Sequence, residues 1–243
     1  MRTTNPILNE KNFQEVGPYY EENAMSIQGT INKSAILLAL ALISAIWSWS
    51  RVSLGTSQAI LMIAAIAGFI LALITTFKKQ WAGITAPIYA LCEGVVLGAI
   101  SIMFEKAYPG IAFQAITLTF AVFASLLIGY KSQLIRVTDK FRLGVFAATA
   151  GIGLFYLVTF ILSFFKINVP IITSSSLFGI GFSVFVVIID SLNLVLDFDF
   201  IERAAKNGAP KYMEWFAAFG LLVTLVWLYI EVLRLLAKLR DRR

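Results

Sequence analysis

The sequence predicts an all-α membrane protein with seven transmembrane helices. Of its 243 residues, 59% are hydrophobic and only 14% are charged, whereas soluble domains carry about 25% charged residues. The mean hydropathy is +0.82. Seven charge-poor runs are long enough, the first one barely, to cross about 30 Å of hydrocarbon as helices. These runs leave only short loops, so no separate soluble domain is expected.

The predicted spans follow one another closely along the chain. They are residues 34–50, 52–77, 80–104, 107–130, 143–165, 167–189 and 213–236. Arg51 closes the first span, Glu93 is the one charge in the third, and the turn Tyr108-Pro109-Gly110 opens the fourth. Lys166 separates the fifth from the sixth, which continues past Asp190 to about residue 196. The chain therefore divides into a polar segment (1–33), a transmembrane domain (34–236) and a basic tail (237–243).

Basic residues in the short loops predict the orientation, because cytoplasmic loops are enriched in Lys and Arg. The N-terminal segment and the second, fourth and sixth loops hold most of them, whereas the first, third and fifth loops hold only Arg51, Lys106 and Lys166. We therefore expect a cytoplasmic N-terminus and, after seven spans, a C-terminus outside. The basic tail favours the opposite side, and the alternative is a last segment that re-enters the membrane and returns to the cytoplasm. We expect no cleaved signal peptide, because residues 1–33 lack an apolar core.

The composition excludes several classes of chemistry. There is no histidine, so Ser–His and Cys–His catalysis and the usual catalytic zinc sites are ruled out. The single cysteine, Cys92, lies in an apolar run and is predicted to be a packing residue. We expect neither enzymatic activity nor a cofactor. The net charge of +6 is expected to serve orientation and lipid contact rather than nucleic-acid binding.

Acidic residues near or inside the spans are the candidate site, because an ionisable side chain at mid-membrane costs about 3 kcal/mol on insertion scales. Asp190, Asn193 and Asp197 are spaced i, i+3 and i+7, which places them on one helix face. Oxygen ligands suit Ca²⁺ or a proton, and Asp190 and Asp197 are the candidate Ca²⁺ ligands. The other candidate ion- or proton-binding residues are Glu93, Asp199, Glu214 and Glu231.

A depth estimate links two of these acids. If the third span enters near Ile84 and the sixth leaves near Phe198, then Glu93 and Asp190 lie about 13 and 12 Å from the same surface. The two carboxylates are then expected to meet and to share a proton or bind a cation.

Structural roles are the alternatives for several of these residues. Glu231 is spaced to pair with Arg234 at i+3. Glu214, next to Trp215, has the pattern of an interfacial anchor, whereas Asp197, Asp199 and Glu202 have that of a solvated helix end. For Asp190 and Glu93 the alternative is a hydrogen bond to a neighbouring helix without transport. The pair Gly94 and Gly98, spaced as GxxxG, is typical of close helix packing.

Two segments resemble the bacterial YccA-like branch of the Bax inhibitor family. The first runs from Ala209 through Pro-Lys-Tyr-Met-Glu-Trp-Phe-Ala-Ala-Phe to Gly220 and on to Trp-Leu-Tyr-Ile-Glu at 227–231, and the second is Leu-Asn-Leu-Val-Leu-Asp-Phe-Asp-Phe-Ile-Glu at 192–202. The start Thr-Asn-Pro-Ile-Leu at 4–8 and the stretch Glu-Gly-Val-Val-Leu-Gly at 93–98 fit as well. The resemblance covers nearly the whole chain.

The resemblance implies seven helices with the first six arranged around a central seventh. It also implies a pH-sensitive Ca²⁺ leak, in which an acid of the sixth helix pairs with an acid of the seventh. Asp197 matches the first acid. The position of the second falls near Trp227 or Leu228, neither of which is acidic, and Glu231 or Glu214 are the possible substitutes.

Two functions follow as expectations. The first is a proton-regulated Ca²⁺ leak of the bacterial inner membrane. The second, which the resemblance also implies, is a regulatory protein that binds and modulates a membrane-bound ATP-dependent protease through residues 1–33.

Overall fold

The computed structural model describes residues 24–53, 58–167, 169, 171 and 174–242. Within these ranges, seven helices are long and apolar enough to cross a membrane, which confirms the predicted architecture. They are α1 (Ile27–Ser53), α2 (Gln58–Phe77), α3 (Ala82–Ala107), α4 (Ile111–Lys131), α5 (Asp139–Phe164), α6 (Leu177–Lys206) and α7 (Met213–Asp241). A 3₁₀ turn, Lys79–Trp81, precedes α3.

The sixth helix differs most from the span predicted from hydropathy. It begins at Leu177 rather than at residue 167, and it ends at Lys206 rather than near residue 196. The apolar run contains a proline at 170 and three serines at 174–176, and proline and serine favour turns and caps over helix interiors. The Ser176 hydroxyl accepts a hydrogen bond from the Gly179 N–H (3.2 Å), so it satisfies a donor of the first turn.

The first and last helices of the chain also extend beyond their apolar runs. Helix α1 starts at Ile27, within the segment predicted to be polar, and the Gln28 side chain donates to Asn32 one turn later (3.0 Å). Helix α7 continues through the basic tail to Asp241. Both helices thus include polar residues beyond the apolar runs of the sequence. Residues 1–23, including most of the predicted polar segment, lie outside the described ranges.

The described residues form two compact units. The first unit comprises residues up to 109 together with 199–223, and the second comprises 110–198 together with the chain from 224. Helices α6 and α7 therefore contribute a part to each unit.

In the first unit, α3 packs against both α1 and α2. Gly94 and Gly98 lie directly against the α1 backbone, where an added methyl group would overlap the carbonyls of Ala41 and Ala45. The GxxxG pair therefore brings α1 close to α3, as its spacing predicts. The Ser48 hydroxyl adds a hydrogen bond to the Val95 carbonyl (2.7 Å) across the same interface.

An apolar cluster contains residues from the segment before α1, from the end of α6 and from the start of α7. Its buried members are Met25, Ala82, Ile201, Ala204, Ala209, Met213, Phe216 and Ala217. Next to it, the Met25 N–H donates to the Ala209 carbonyl (2.6 Å), and Ala24 forms an isolated antiparallel bridge with Pro210. The segment before α1 is thereby fixed to the α6–α7 loop.

The second unit contains α4, α5, residues 177–198 of α6 and residues 224–241 of α7. Its apolar core holds Ile152 of α5 with Val186 and Ile189 of α6, and Trp227 of α7 packs against them. Helix α5 begins with a conventional cap, since the Thr138 hydroxyl accepts from the Phe141 N–H (3.2 Å).

Burial differs sharply among the helices. Buried residues make up 72% of the apolar stretch of α7, but 39% or less of the corresponding stretch in each of the other six helices. Large apolar side chains such as Leu154, Phe160 and Phe164 of α5 are exposed and meet the bilayer. The arrangement of six helices around a central α7 stays a prediction, as does the orientation in the membrane.

Candidate functional site

Asp190, near the middle of α6, has no exposed surface. Neither carboxylate oxygen has a hydrogen-bond partner among the residues that the structure describes. Glu231 and Arg234 of α7 lie close enough to interact with it electrostatically. Since buried polar groups are nearly always hydrogen-bonded, Asp190 is the most unusual side chain of the second unit.

Glu231 is also buried, at 1% exposed. Its Oε1 atom accepts from Arg234 Nη1 (2.8 Å) and from the Tyr156 hydroxyl of α5 (3.0 Å). The Arg234 guanidinium lies 5.5 Å from the centroid of the Tyr156 ring. The predicted Glu231–Arg234 pair is therefore confirmed, and Tyr156 completes it. The Oε2 atom has no partner within the described part of the chain.

Asp197 lies two turns beyond Asp190 on α6 and is buried as well. Its side chain is hydrogen-bonded to Thr224 of α7, whereas its Oδ2 atom has no partner among the described residues. The hydrogen-bond partner of Asp197 on α7 is therefore a hydroxyl and not one of the acids. Glu231, one of the two substitutes, lies near Asp190 instead.

Asn193, on the same predicted face, is held by two hydrogen bonds. Its amide donates to the Thr149 hydroxyl of α5 (2.7 Å) and to the Ile189 carbonyl (3.0 Å). It therefore links α5 to α6, and it shows how a polar side chain of this helix is satisfied when its role is structural.

Two further predicted site residues belong to the first unit and have cationic partners. Asp199 pairs with Arg203 one turn later (3.1 Å). Glu214, only 1% exposed, forms an ion pair with Lys33 and accepts hydrogen bonds from Ser26 at the start of α1. The carboxylate of Glu214 is enclosed by the start of α1, and its position relative to the membrane interface stays a prediction.

Glu93 is half-buried in α3 of the first unit. The Tyr89 hydroxyl, one turn earlier, is hydrogen-bonded to it. A methyl group on Gly68 of α2 would lie 3.8 Å from Glu93 Oε2, so the carboxylate is next to the α2 backbone. Asp190 belongs to the second unit, and the apposition of the two acids stays a prediction.

The lengths of α6 and α7 determine which of their acids lie side by side, whereas the depth of Asp190 in the membrane stays a prediction. Because α6 continues to Lys206, Asp190 lies about 24 Å from the end of the helix at 1.5 Å per residue. Glu231 lies about 27 Å from the start of α7 on the same scale. The α6–α7 connection joins the end of α6 to the start of α7, and the two acids lie at similar distances from it. Glu231 rather than Glu214 is therefore the neighbour of Asp190.

The polar contacts between α6 and α7 in the second unit follow a regular register. Asp197 meets Thr224, Asp190 lies near Glu231, and Ser183 accepts from Lys238 (2.8 Å). We call this interface the α6–α7 seam. Each level is seven residues from the next on both helices, which is two helical turns or about 10.5 Å. An antiparallel helix pair with this repeat keeps all these side chains on one pair of faces.

Sequence reasoning missed Tyr156, Ser183, Thr224 and Lys238. Lys238 carried a usable signal, because it follows Glu231 by seven residues, the same interval that singled out Asp190 and Asp197. It was assigned to the basic tail, however, which the structure shows to be helical. Hydroxyl residues such as Ser183 and Thr224 are common in membrane helices and carry no comparable signal.

The seam holds polar groups but no ready-made metal site. Among the described residues, no three His, Cys, Asp or Glu side chains form a group that could hold a metal ion. Asp190 and Asp197 are about 10.5 Å apart along the helix, so they are successive oxygen sites rather than one chelate. A Ca²⁺ ion at these residues stays a prediction.

The comparison with protein families gives a match over nearly the entire chain. The family model described as Bax inhibitor 1 like matches residues 5–241, which include all seven helices. No curated protein matches the chain. Because the match spans far more than half of the sequence and agrees with the helical architecture, the chain belongs to the Bax inhibitor 1 like family.

Proposed function

We propose that this membrane protein is a pH-sensitive cation leak that favours Ca²⁺, with Asp190, Glu231 and Asp197 of the α6–α7 seam as the residues that handle the ion. The observation that carries the proposal is Asp190, a fully buried carboxyl group without a hydrogen-bond partner among the described residues. We further propose the bacterial inner membrane as its location, with the N-terminus in the cytoplasm.

A structural role does not account for Asp190. A polar group buried without a partner destabilises a protein by about 1–3 kcal/mol, and an ionisable group within a membrane span costs about as much again on insertion scales. Asn193, one turn away, offsets this cost with two hydrogen bonds. Asp190 has no such compensation among the described residues, which is what a group kept for a transient ion or proton would show.

The seam supplies successive acidic levels rather than a closed chelate. Ca²⁺ takes six to eight oxygen ligands, more than the described acids provide at any level. The ion would therefore keep part of its water while it passes from one carboxylate to the next. Weak, repeated binding of this kind suits conduction, because an ion must leave a site as readily as it enters.

Protons regulate the leak through the same groups. Protonation of the Asp190 carboxyl group would remove the negative charge that attracts a cation. Ca²⁺ flux is therefore expected to depend on pH, and this dependence should be lost when the carboxyl group is replaced by an amide.

The test is Ca²⁺ flux into proteoliposomes as a function of pH. We expect Asp190→Asn and Asp197→Asn to lower flux about tenfold or more, each with a flattened pH profile, and Glu93→Gln to lower it if the acid of the first unit shares the path. Glu202→Gln is the matched control, since Glu202 forms a partly exposed ion pair with Lys206 on the surface of α6. Flux that is unchanged in all three variants would contradict the proposal.

Modulation of a membrane-bound ATP-dependent protease is the second candidate. It rests on the polar composition of residues 1–33, of which 1–23 lie outside the described ranges. A pull-down with residues 1–23 deleted distinguishes the two functions. Loss of the protease with intact Ca²⁺ flux would assign binding to this segment as a separate role.

A further inference from the structure

Lys238, close to the end of α7, is buried although it carries a charge. Only 6% of the residue is exposed. Its ammonium group donates to Ser183 Oγ (2.8 Å) and to the backbone carbonyls of Gly179 (3.0 Å) and Ile171 (3.3 Å). We call these three oxygens the Lys238 cage.

The cage depends on a close backbone approach at the start of α6. A methyl group on Gly179 would overlap the Ser174 carbonyl and lie 3.2 Å from the Ile171 carbonyl. Glycine at this position therefore lets the segment before α6 fold back over the first turn of the helix. The carbonyl of Ile171, which precedes the helix, is thereby brought to the same ammonium group as the carbonyl of Gly179.

The chemistry of the cage is unusual for a buried lysine. Buried cations are ordinarily balanced by a directly contacting carboxylate, whereas the hydrogen-bond partners of Lys238 among the described residues are two carbonyls and a hydroxyl. The charged groups of α7 that act on it, Glu231 and Arg234, interact only electrostatically. Carbonyl and hydroxyl oxygens are the ligands that replace the hydration shell of alkali cations in selective sites.

We propose that the Lys238 cage is a site for a monovalent cation of ammonium or potassium size, and that the lysine fills it as a tethered cation. The site lies on the α6–α7 seam, one level beyond Asp190 and Glu231. A free cation binds there only when the lysine ammonium is absent. The binding claim is independent of the proposed leak, because it concerns occupancy of the cage and not flux.

The experiment uses the full chain purified in detergent and compares Lys238→Ala with the parent. The thermal midpoint is measured in potassium, ammonium and choline chloride at equal ionic strength. Choline is too large for the cage and has no N–H donor. We expect Lys238→Ala to unfold at least roughly 3 °C higher in saturating potassium or ammonium than in choline, as a ligand bound only to the folded state stabilises it.

Two controls make the result specific. Lys238→Met retains most of the side-chain volume and leaves no room for a free ion, and Lys140→Ala removes an exposed lysine; neither should respond to the choice of cation. Folding of Lys238→Ala in potassium or ammonium but not in choline would also support the site. Equal midpoints in all three salts, or failure to fold in every salt, would overturn it.

Discussion

The Oε1 atom of Glu214, in the first turn of α7, accepts hydrogen bonds from the backbone N–H (2.8 Å) and the hydroxyl (3.0 Å) of Ser26, which precedes α1. The other carboxylate oxygen forms an ion pair with Lys33. An acid of one helix thus satisfies the exposed donors at the start of another, where the helix dipole also favours a negative charge. This contact joins two segments that are 188 residues apart in the sequence.

Glu214→Ala should destabilise the protein by about 3 kcal/mol, because it leaves the ammonium group of Lys33 without its carboxylate and removes the acceptor of two Ser26 hydrogen bonds. The thermal midpoint in detergent measures the effect. Glu202→Ala is the control, since loss of a surface i,i+4 pair with Lys206 costs only about 0.5 kcal/mol. Equal effects of the two substitutions would show that the Glu214 contact contributes little.

Gly98→Ala should destabilise the protein by roughly 1–3 kcal/mol, as expected for overpacking. The added methyl group would overlap the Ala45 carbonyl of α1. Gly151→Ala is the matched substitution in α5, where nothing lies within 4 Å of the new Cβ, and it should stabilise by about 0.5–1 kcal/mol. Chemical denaturation of both variants checks the difference in sign.

Arg234→Gln should destabilise the protein by about 2 kcal/mol, because it leaves the buried Glu231 without its cation. The arginine side chain is 38% exposed, which keeps the effect below that of a fully buried pair. The double variant Glu231→Gln with Arg234→Gln should recover part of the loss. Additive losses in this double-mutant cycle would show that the two side chains are not energetically coupled.

Asp190→Leu should stabilise the protein by about 1 kcal/mol, because it replaces an unpartnered buried carboxyl group with an apolar group that has the same number of heavy atoms. The same substitution should abolish Ca²⁺ flux if the proposed function holds. Asn193→Leu is the comparison, and it should destabilise because it removes the hydrogen bonds to Thr149 and Ile189. A marked loss of stability in Asp190→Leu would mean that the carboxyl group has a structural role.

Lys238→Met should raise Ca²⁺ flux about tenfold, if the seam is the path. A unit charge about 10 Å away is worth more than 1 kcal/mol at an effective dielectric constant of about 20, so the ammonium opposes a divalent cation at the neighbouring acidic level. Lys238→Arg should keep flux low, and Lys140→Met, at an exposed position, should leave it unchanged. Flux in Lys238→Met equal to that of the parent would place the path elsewhere.

The apolar runs of the sequence were sufficient to predict the number and type of helices, because a long helix satisfies all its backbone hydrogen bonds within a bilayer. Local spacing was sufficient for contacts within one helix, such as Glu231 with Arg234. Hydropathy failed at the start of the sixth helix: the run from residue 167 is apolar, but α6 begins only at Leu177, after a proline and three serines in the sequence. The length of α6 depended on those residues rather than on its apolar content.

Contacts between segments that are distant in the chain could not be predicted from the sequence. Nothing near Glu214 indicates that its partners are Ser26 and Lys33, because that contact exists only once α1 and α7 are placed together. The neighbour of Asp190 was likewise hidden, since it depended on where α6 ends. Lys238 shows a third limit: a lysine at a helix end is ordinarily solvated, and only the fold of the segment before α6 encloses it.

The seven-residue repeat along α6 and α7 has a consequence for their alignment. If α7 were shifted along α6 by seven residues, Asp190 would face Lys238 and Asp197 would face Glu231. The polar groups alone therefore permit a second alignment of the two helices, which has an attractive pair in Asp190 and Lys238. Trp227 has no equivalent one repeat away, because Arg234 follows it at that interval. Its indole, packed against Val186 and Ile189, is the feature that distinguishes the native alignment from its shifted copy.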